Sequence, residues 1–452
     1  MLISANVQPR NARDMRTLAY SILFFLSPFV TTAIPRLTWL FLPLVGLAFV
    51  IPVFRKSNGW RATLELNLTV LACLLVPAYI FVNAFWAADQ RTAVVKAVLL
   101  TAVVLITLLA ASSLRVTEDE LLRRSGSAFV VGTFVAALFL TFELLTDGAI
   151  TRFVLNSIHL FHPLNHKHAT AYNGQIVHLR LADLNQNTAV LMFNLWPSLL
   201  ALRFIETGTR RPLFSGALLL AVAVPIFLSE HQSSQLALVA SIPVFCVAQR
   251  WPLALIRSLA VLWCLAFVLV LPADFLMYKA NLHMVDWLPK SFRARVIIWE
   301  YTAERVMDHP WLGVGADSTR VLKEPRTIDT AEQPPGFIYP RTIGWHAHDL
   351  FLQTWFELGV VGAILIAFAG AMVALRMSLL PLETQPFAAA SFTVFMAIVA
   401  FGWGMWQTWL ICAIALMIIY LLMGATLSRQ TTGIASSRVA SRKPVISHAS
   451  DP

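Results

Sequence analysis

The sequence predicts an all-α polytopic membrane protein: about twelve transmembrane helices, with a helical cap on the outer face between the ninth and the tenth. Three observations predict it. Of 452 residues, 58% are hydrophobic and only 13% charged, more apolar surface than a soluble interior hides. The apolar residues fall in runs near the ~20 residues that cross a hydrocarbon core. The basic residues stand beside those runs on alternate connectors, as the positive-inside rule requires. A soluble protein is excluded, and so is a largely disordered chain.

In chain order, the runs lie near 17–34, 37–54, 67–87, 92–112, 126–146, 184–202, 213–229, 232–248, 252–272, 351–373, 385–402 and 404–425. The first follows a polar, basic N-terminus without a small-residue cleavage site and reads as an uncleaved span. Alternating the connectors puts Arg10, Arg13, Arg16, Arg55, Lys56, Arg61, Arg115, Arg123, Arg124, Arg203, Arg210 and Arg211 on one side. That side is expected to be the cytoplasm, with both termini on it. The formal charge of +10, from 34 basic and 24 acidic residues, thus reflects membrane orientation and not nucleic acid. Cys73, Cys246, Cys264 and Cys412 all fall inside runs, without metal-ligand or disulfide spacing.

The expected division is a bundle of spans 1–9 over 1–272 with an outer loop at 147–183, a periplasmic cap at 273–350, spans 10–12 over 351–427, and a disordered basic cytoplasmic tail at 428–452. Within the cap, Arg295, Val296, Trp299, Ala303 and Val306 recur at helical spacing before Pro310 stops the helix, and Gly313 and Gly315 make the following turn.

The outer face also collects the chemistry. All of the 11 histidines except His448 map to it or its boundary, where an imidazole sits beside water and can accept a proton near neutral pH. Arg180, Arg293, Arg295 and Arg341 fall on the same side. A guanidinium is a permanent planar fork for two phosphate oxygens, so such a cluster at headgroup level suits a diphosphate whose tail lies in the membrane. His346-Ala-His348 with Asp349 lacks a nearby third ligand, and no metal or other cofactor is expected. Intramembrane charges of the transporter kind are sparse, with Lys96 and Glu143 near outer span ends and Asn194 as the main polar residue well inside a span.

The run His346-Ala-His348-Asp349-Leu350-Phe351-Leu352-Gln353-Thr354-Trp355-Phe356-Glu357-Leu358-Gly359-Val360-Val361-Gly362 resembles the His-x-His-Asn, Leu-Gln, Glu-x-Gly-x-x-Gly signature of the O-antigen ligase and polymerase superfamily. Arg295-Val-Ile-Ile-Trp299 and Asp308-His-Pro-Trp-Leu-Gly-Val-Gly315 are similar to its Arg-x-x-x-Trp and Pro-x-x-Gly-Val-Gly segments. Arg180-Leu-Ala-Asp-Leu-Asn-Gln-Asn187 is similar to its Arg-x-x-Gly, Asn-Pro-Asn stretch. Asp349 replaces the usual Asn, Asp183 and Gln186 replace Gly and Pro, and Ser233-Ser234-Gln235 lacks the common Ser-Arg pair, which would supply one diphosphate contact.

The resemblance implies a GT-C-like, metal-independent, inverting glycosyltransferase of the bacterial inner membrane, with its active site on the periplasmic face. Its ligase branch moves O-antigen from undecaprenyl diphosphate to a lipid A-core sugar hydroxyl, completing lipopolysaccharide, so the partners would be those two lipids and the surrounding membrane, without nucleic acid. On that basis His348 is expected as base with His346 orienting it or touching substrate. Arg180 and Arg295, and more weakly Arg293 and Arg341, are expected to hold the diphosphate, while Asp349, Gln353 and Glu357 support the loop. The rival readings are an O-antigen polymerase with the same donor, a protein O-oligosaccharyltransferase, and a polysaccharide transporter. The transporter is disfavoured by the long cap and by the lack of repeated halves.

Overall fold

The computed structural model describes residues 10–54, 66–158, 169–172, 175–206, 208–322 and 336–440. Each of the expected runs becomes a long helix: α1 (Arg10–Ala33), α2 (Thr38–Phe54), α3 (Leu68–Asn83), α4 (Gln90–Leu114), α5 (Asp119–Leu145), α7 (Asn185–Ile205), α8 (Arg211–Leu228), α9 (Gln232–Arg250), α10 (Pro252–Lys279), α12 (Leu350–Arg376), α13 (Gln385–Phe401) and α14 (Thr408–Ala440). Two shorter helices, α6 (Ala149–Ser157) and α11 (Lys290–Val306), lie in the long connectors. A two-stranded antiparallel hairpin, β1 (Ala169–Tyr172) and β2 (Gln175–Leu179), follows α6.

Among the described residues, 10 helices are long and apolar enough to cross a membrane. The chain is a multi-pass membrane protein. The two that miss the criterion, α1 and α9, have the length but are diluted by polar residues. Arg10, Arg13, Asp14 and Arg16 occupy the start of α1, and Gln232, Ser233, Ser234 and Gln235 open α9.

Helix α7 is the axis of the bundle and is buried along almost its whole length. Lipid tails are as apolar as leucine, so helices in a membrane associate through close packing and interhelical hydrogen bonds. The α1–α5 pair uses the first device: Gly132 of α5 lies against the backbone of Phe25, where a side chain would collide. The second joins Ser198 of α7 to Thr133 of α5 at 3.0 Å and Ser27 of α1 to the Tyr420 hydroxyl of α14.

The elements depart from the sequence expectations at three places. Helix α10 continues through Pro272 to Lys279, beyond the expected start of the cap; an internal proline is tolerated where packed neighbours surround the freed backbone groups. Helix α14 runs to Ala440, past the expected start of a disordered tail. Thirdly, the last two spans were expected to be nearly continuous, yet residues 402–407 form a loop. Gly402 leaves α13 at φ −105°, ψ −120°, outside helical geometry. The histidines at 159, 162, 166, 168 and 448 lie outside the described residues.

Candidate active site at the histidine loop

The connectors α3–α4, α8–α9, α10–α12 and α13–α14 meet at one end of the bundle. They are joined there first by main chain. Helix α12 breaks at Gly359, whose φ of +66° is a left-handed conformation that glycine adopts without a Cβ penalty. The turn Pro310–Gly315 docks into the break. Val314 N–H donates to Phe356 O at 3.1 Å, Gly315 N–H to Glu357 O at 2.9 Å, and Val360 N–H to Pro310 O at 2.9 Å. Gly313 and Gly359 sit where the two backbones touch, and a Cβ on either would strike the other chain. Asn83 of α3 closes the seam: its amide donates to Leu312 O at 3.0 Å and its carbonyl oxygen accepts from Ala316 N–H at 2.7 Å.

Glu357 is fully buried beneath this seam. It accepts from Asp317 N–H at 2.9 Å, Thr319 N–H at 3.2 Å and Gln353 Nε2 at 3.2 Å, and from the Thr319 hydroxyl and the Trp406 indole. Gln353 in turn accepts from Met405 N–H at 3.0 Å, while Lys96 of α4 donates to Trp406 O at 2.9 Å and pairs with Asp317 at 3.4 Å. Two side chains one helical turn apart on α12 therefore bind the cap turn and the 402–407 loop together.

The histidine loop is fixed from both ends. Trp299 of α11 donates its indole N–H to Ala347 O at 2.8 Å. Asp349 caps α12, accepting from Phe351 N–H at 2.6 Å and Leu352 N–H at 3.0 Å. Between them His348 takes φ +57°, rare for a residue with a side chain, and its Nδ1 lies 2.9 Å from Gly402 O. A carbonyl can only accept, so Nδ1 carries the ring proton and Nε2 is left as a bare acceptor. The His346 ring lies 4.0 Å away, centroid to centroid, and neither of its nitrogens has a hydrogen-bond partner among the described residues.

Arg295 projects from α11 toward the same place. It is a charged neighbour of His348, His346 and also His231, and it makes no ion pair among the described residues. Burial lowers the affinity of its guanidinium for its proton. Burial, with Arg295 as the second cause, lowers His348 to about 4; burial, with His348, Arg320 and Arg295 adding, lowers His346 to about 3. Both rings are neutral at neutral pH. Burial pushes the Asp349 carboxyl the other way, up to about 7, against the pull of its two backbone donors.

The other expected arginines are placed differently. Arg293 is buried, with Nε donating to His283 O at 2.9 Å, Nη1 at 3.2 Å from Asp286 and Phe337 stacked 4.4 Å from its guanidinium carbon. Arg341 is paired with Glu300 at 2.8 Å and Glu304 at 3.1 Å. Both guanidiniums are partly engaged by protein groups, while Arg293 Nη2 is buried without a hydrogen-bond partner among the described residues. Arg180 is exposed just after β2 and has no hydrogen bond or ion pair with the histidine loop among the described residues.

A family model described as O-antigen ligase matches residues 216–367. That stretch, about a third of the chain, is similar to the O-antigen ligase family. The match supports membership of the O-antigen ligase and polymerase superfamily and points to a membrane glycosyltransferase. No curated protein matches the chain. The O-antigen ligase match covers Arg295, His346, His348, Glu357 and Gly359, and ends before the 402–407 loop.

That loop is what sequence reasoning missed. Phe401 O accepts from the Ser233 hydroxyl at 2.9 Å, Gly402 O from His348, and the Trp403 ring packs against His231 with centroids 4.6 Å apart. Its only sequence signal is the alternation Gly402-Trp-Gly-Met-Trp406 between two apolar runs. The same loop forms one end of an apolar cavity of about 480 Å³ between α3–α4 and α12–α14. Val76, Leu100, Phe395, Trp403, Met405 and Trp406 are among its lining, and Arg376 marks the far end.

Proposed function

We propose that the protein is the ligase of the superfamily: it transfers O-antigen from undecaprenyl diphosphate to a hydroxyl of lipid A-core at the periplasmic face of the bacterial inner membrane, with both termini cytoplasmic. The reaction needs a base for the acceptor hydroxyl and positive charge for the departing diphosphate. The observation that carries the reading is the state of His348. Its Nδ1–H is committed to Gly402 O, which leaves a lone pair on Nε2, and its charged neighbour Arg295 makes no ion pair among the described residues.

In this scheme His348 Nε2 takes the proton as the acceptor oxygen attacks the anomeric carbon from the face opposite the leaving group, inverting that centre. The bond to the diphosphate breaks and its electron pair leaves with the diphosphate oxygen. Arg295 is the principal partner of that oxygen, and Arg180 is retained as a partner that the donor itself would have to bring in. His346, with two unsatisfied ring nitrogens, meets the sugar. The reading needs no metal. The apolar cavity ending at Trp403, Met405 and Trp406 gives the polyprenyl chain a place beside the reacting end.

The test is deletion of the gene followed by gel analysis of lipopolysaccharide. Polymer-free core with accumulated lipid-linked polymer is expected. Core bearing a single repeat unit would instead identify the polymerase, and unchanged lipopolysaccharide would refute both.

A further inference from the structure

We propose that His231 is a second imidazole of the site and donates its Nε2–H to the departing diphosphate beside Arg295. The assignment rests on reading Arg295 as the diphosphate ligand. His231 stands in the short turn between α8 and α9 and is buried at 6% exposure. Its ring packs at a 30° tilt against Trp403, the neighbour of the residue that holds His348, and Arg295 is its charged neighbour too. One guanidinium is thus shared by two imidazoles that grip consecutive residues of the 402–407 loop.

The two rings are held in opposite tautomers. His231 Nδ1 lies 2.6 Å from the hydroxyl of Ser234, which is fully buried and has no other side-chain partner among the described residues. A buried hydroxyl proton left without an acceptor is costly, so the hydroxyl donates to Nδ1 and the ring's own proton sits on Nε2. Burial and the nearby cation hold the ring neutral, at about 3. His348 offers a lone pair, whereas His231 offers a hydrogen.

Arg295 is the charged neighbour of His231, and neither its guanidinium nor His231 Nε2–H has a hydrogen-bond partner among the described residues. An anion with several oxygens satisfies both, and a diphosphate is such an anion. A neutral donor also costs less to keep buried than a second cation. It strengthens as charge gathers on the leaving oxygen, so it favours the transition state over the ground state.

The experiment compares the purified full chain with three variants. His231→Phe keeps a flat ring against Trp403 without a donor; His231→Gln places an amide N–H near the Nε2 position; His231→Asn places it near Nδ1, within reach of Ser234 only. Binding of inorganic diphosphate is measured by calorimetry, and transfer from a lipid diphosphate by single-turnover assay. The Phe and Asn variants are expected to bind diphosphate roughly tenfold or more weakly, with Gln close to the parent. Should Phe fail to fold, the contrast of Asn with Gln decides. Parental binding in a folded Phe variant, Asn equal to Gln, or no binding by the parent overturns the assignment. A parent that binds diphosphate, loses that binding with Asn, and yet transfers no glycan refutes the ligase reading and upholds His231 as an anion contact.

Discussion

His348 Nδ1 and the carbonyl oxygen of Gly402, 2.9 Å apart, link the histidine loop to a segment more than fifty residues away and decide which ring nitrogen is basic. Without that contact the ring could carry its proton on either nitrogen, and the tautomer protonated on Nε2 would be unable to act as a base there.

Replacing His348 with alanine should slow transfer by roughly 100- to 10,000-fold, the usual range for a lost general base, with the folded chain retained. Single-turnover transfer from a lipid-linked glycan measures this. A variant as fast as the parent would remove the base from the mechanism.

Arg295→Ala should cost on the order of 100- to 1000-fold in rate, and Arg295→Lys should restore only part, since an ammonium lacks the planar fork. Arg341→Ala should behave differently. It breaks the contacts with Glu300 and Glu304, so thermal unfolding should shift more than the rate constant. Equal rate losses without loss of stability would mean that Arg341 also meets the substrate.

The acid limb of the pH–rate profile follows from the lowered His348. A base works when unprotonated, so activity should hold from neutral pH downward and fall through about 4, well below the ordinary 6.5. In Arg295→Ala the limb should move up. Stability carries the same sign for this group: between 6.5 and about 4 the unfolded chain takes up a proton that the folded chain does not, so His348 makes the fold less stable as pH drops. A parental limb at the ordinary imidazole value would contradict the buried setting of His348.

Asp349→Asn should keep most of the activity, because an amide oxygen can accept from Phe351 and Leu352 N–H as the carboxylate does. Asp349→Ala should lose about 1 kcal/mol of stability and release the strained His348 backbone, lowering turnover. Thermal unfolding and transfer rates on the same preparations separate the two. An alanine variant matching the asparagine variant in both would show that the cap is dispensable.

Gly313→Ala combines a left-handed backbone with a Cβ driven into the main chain of Glu357 and should destabilise by about 2 kcal/mol or more. Gly336→Ala makes the control, since its φ of +78° is as demanding but nothing lies within 4 Å of the added Cβ. It should cost about 1 kcal/mol. Equal shifts in thermal unfolding would mean that the seam yields.

The helices were legible because a ~30 Å apolar slab imposes its length on every run that crosses it. The order of the twelve long helices and the position of α11 follow from that constraint and from helical spacing, whereas α6 and the hairpin that follows it were not read from the sequence. The break at Gly359 was not legible, since it lies within a span-length helix and faces a turn more than forty residues earlier in the chain. The 402–407 loop was hidden for a related reason: Trp403, Met405 and Trp406 face an apolar cavity, so hydropathy does not distinguish them from a span. Residue type suggested Arg293 and Arg341 as anion ligands, but it does not show the carboxylates that the fold brings to them, Asp286 for the first and Glu300 and Glu304 for the second. Arg295 is set apart by position alone, on the side of α11 that meets the histidines.

The docking of Pro310–Gly315 into the interrupted α12 has a mechanical corollary. Main-chain hydrogen bonds across the break, closed by the Asn83 side chain, fasten that part of the headpiece. It is a rigid lintel and not a flap. On the proposed function, a glycan reaching His348 would pass an opening framed by this seam.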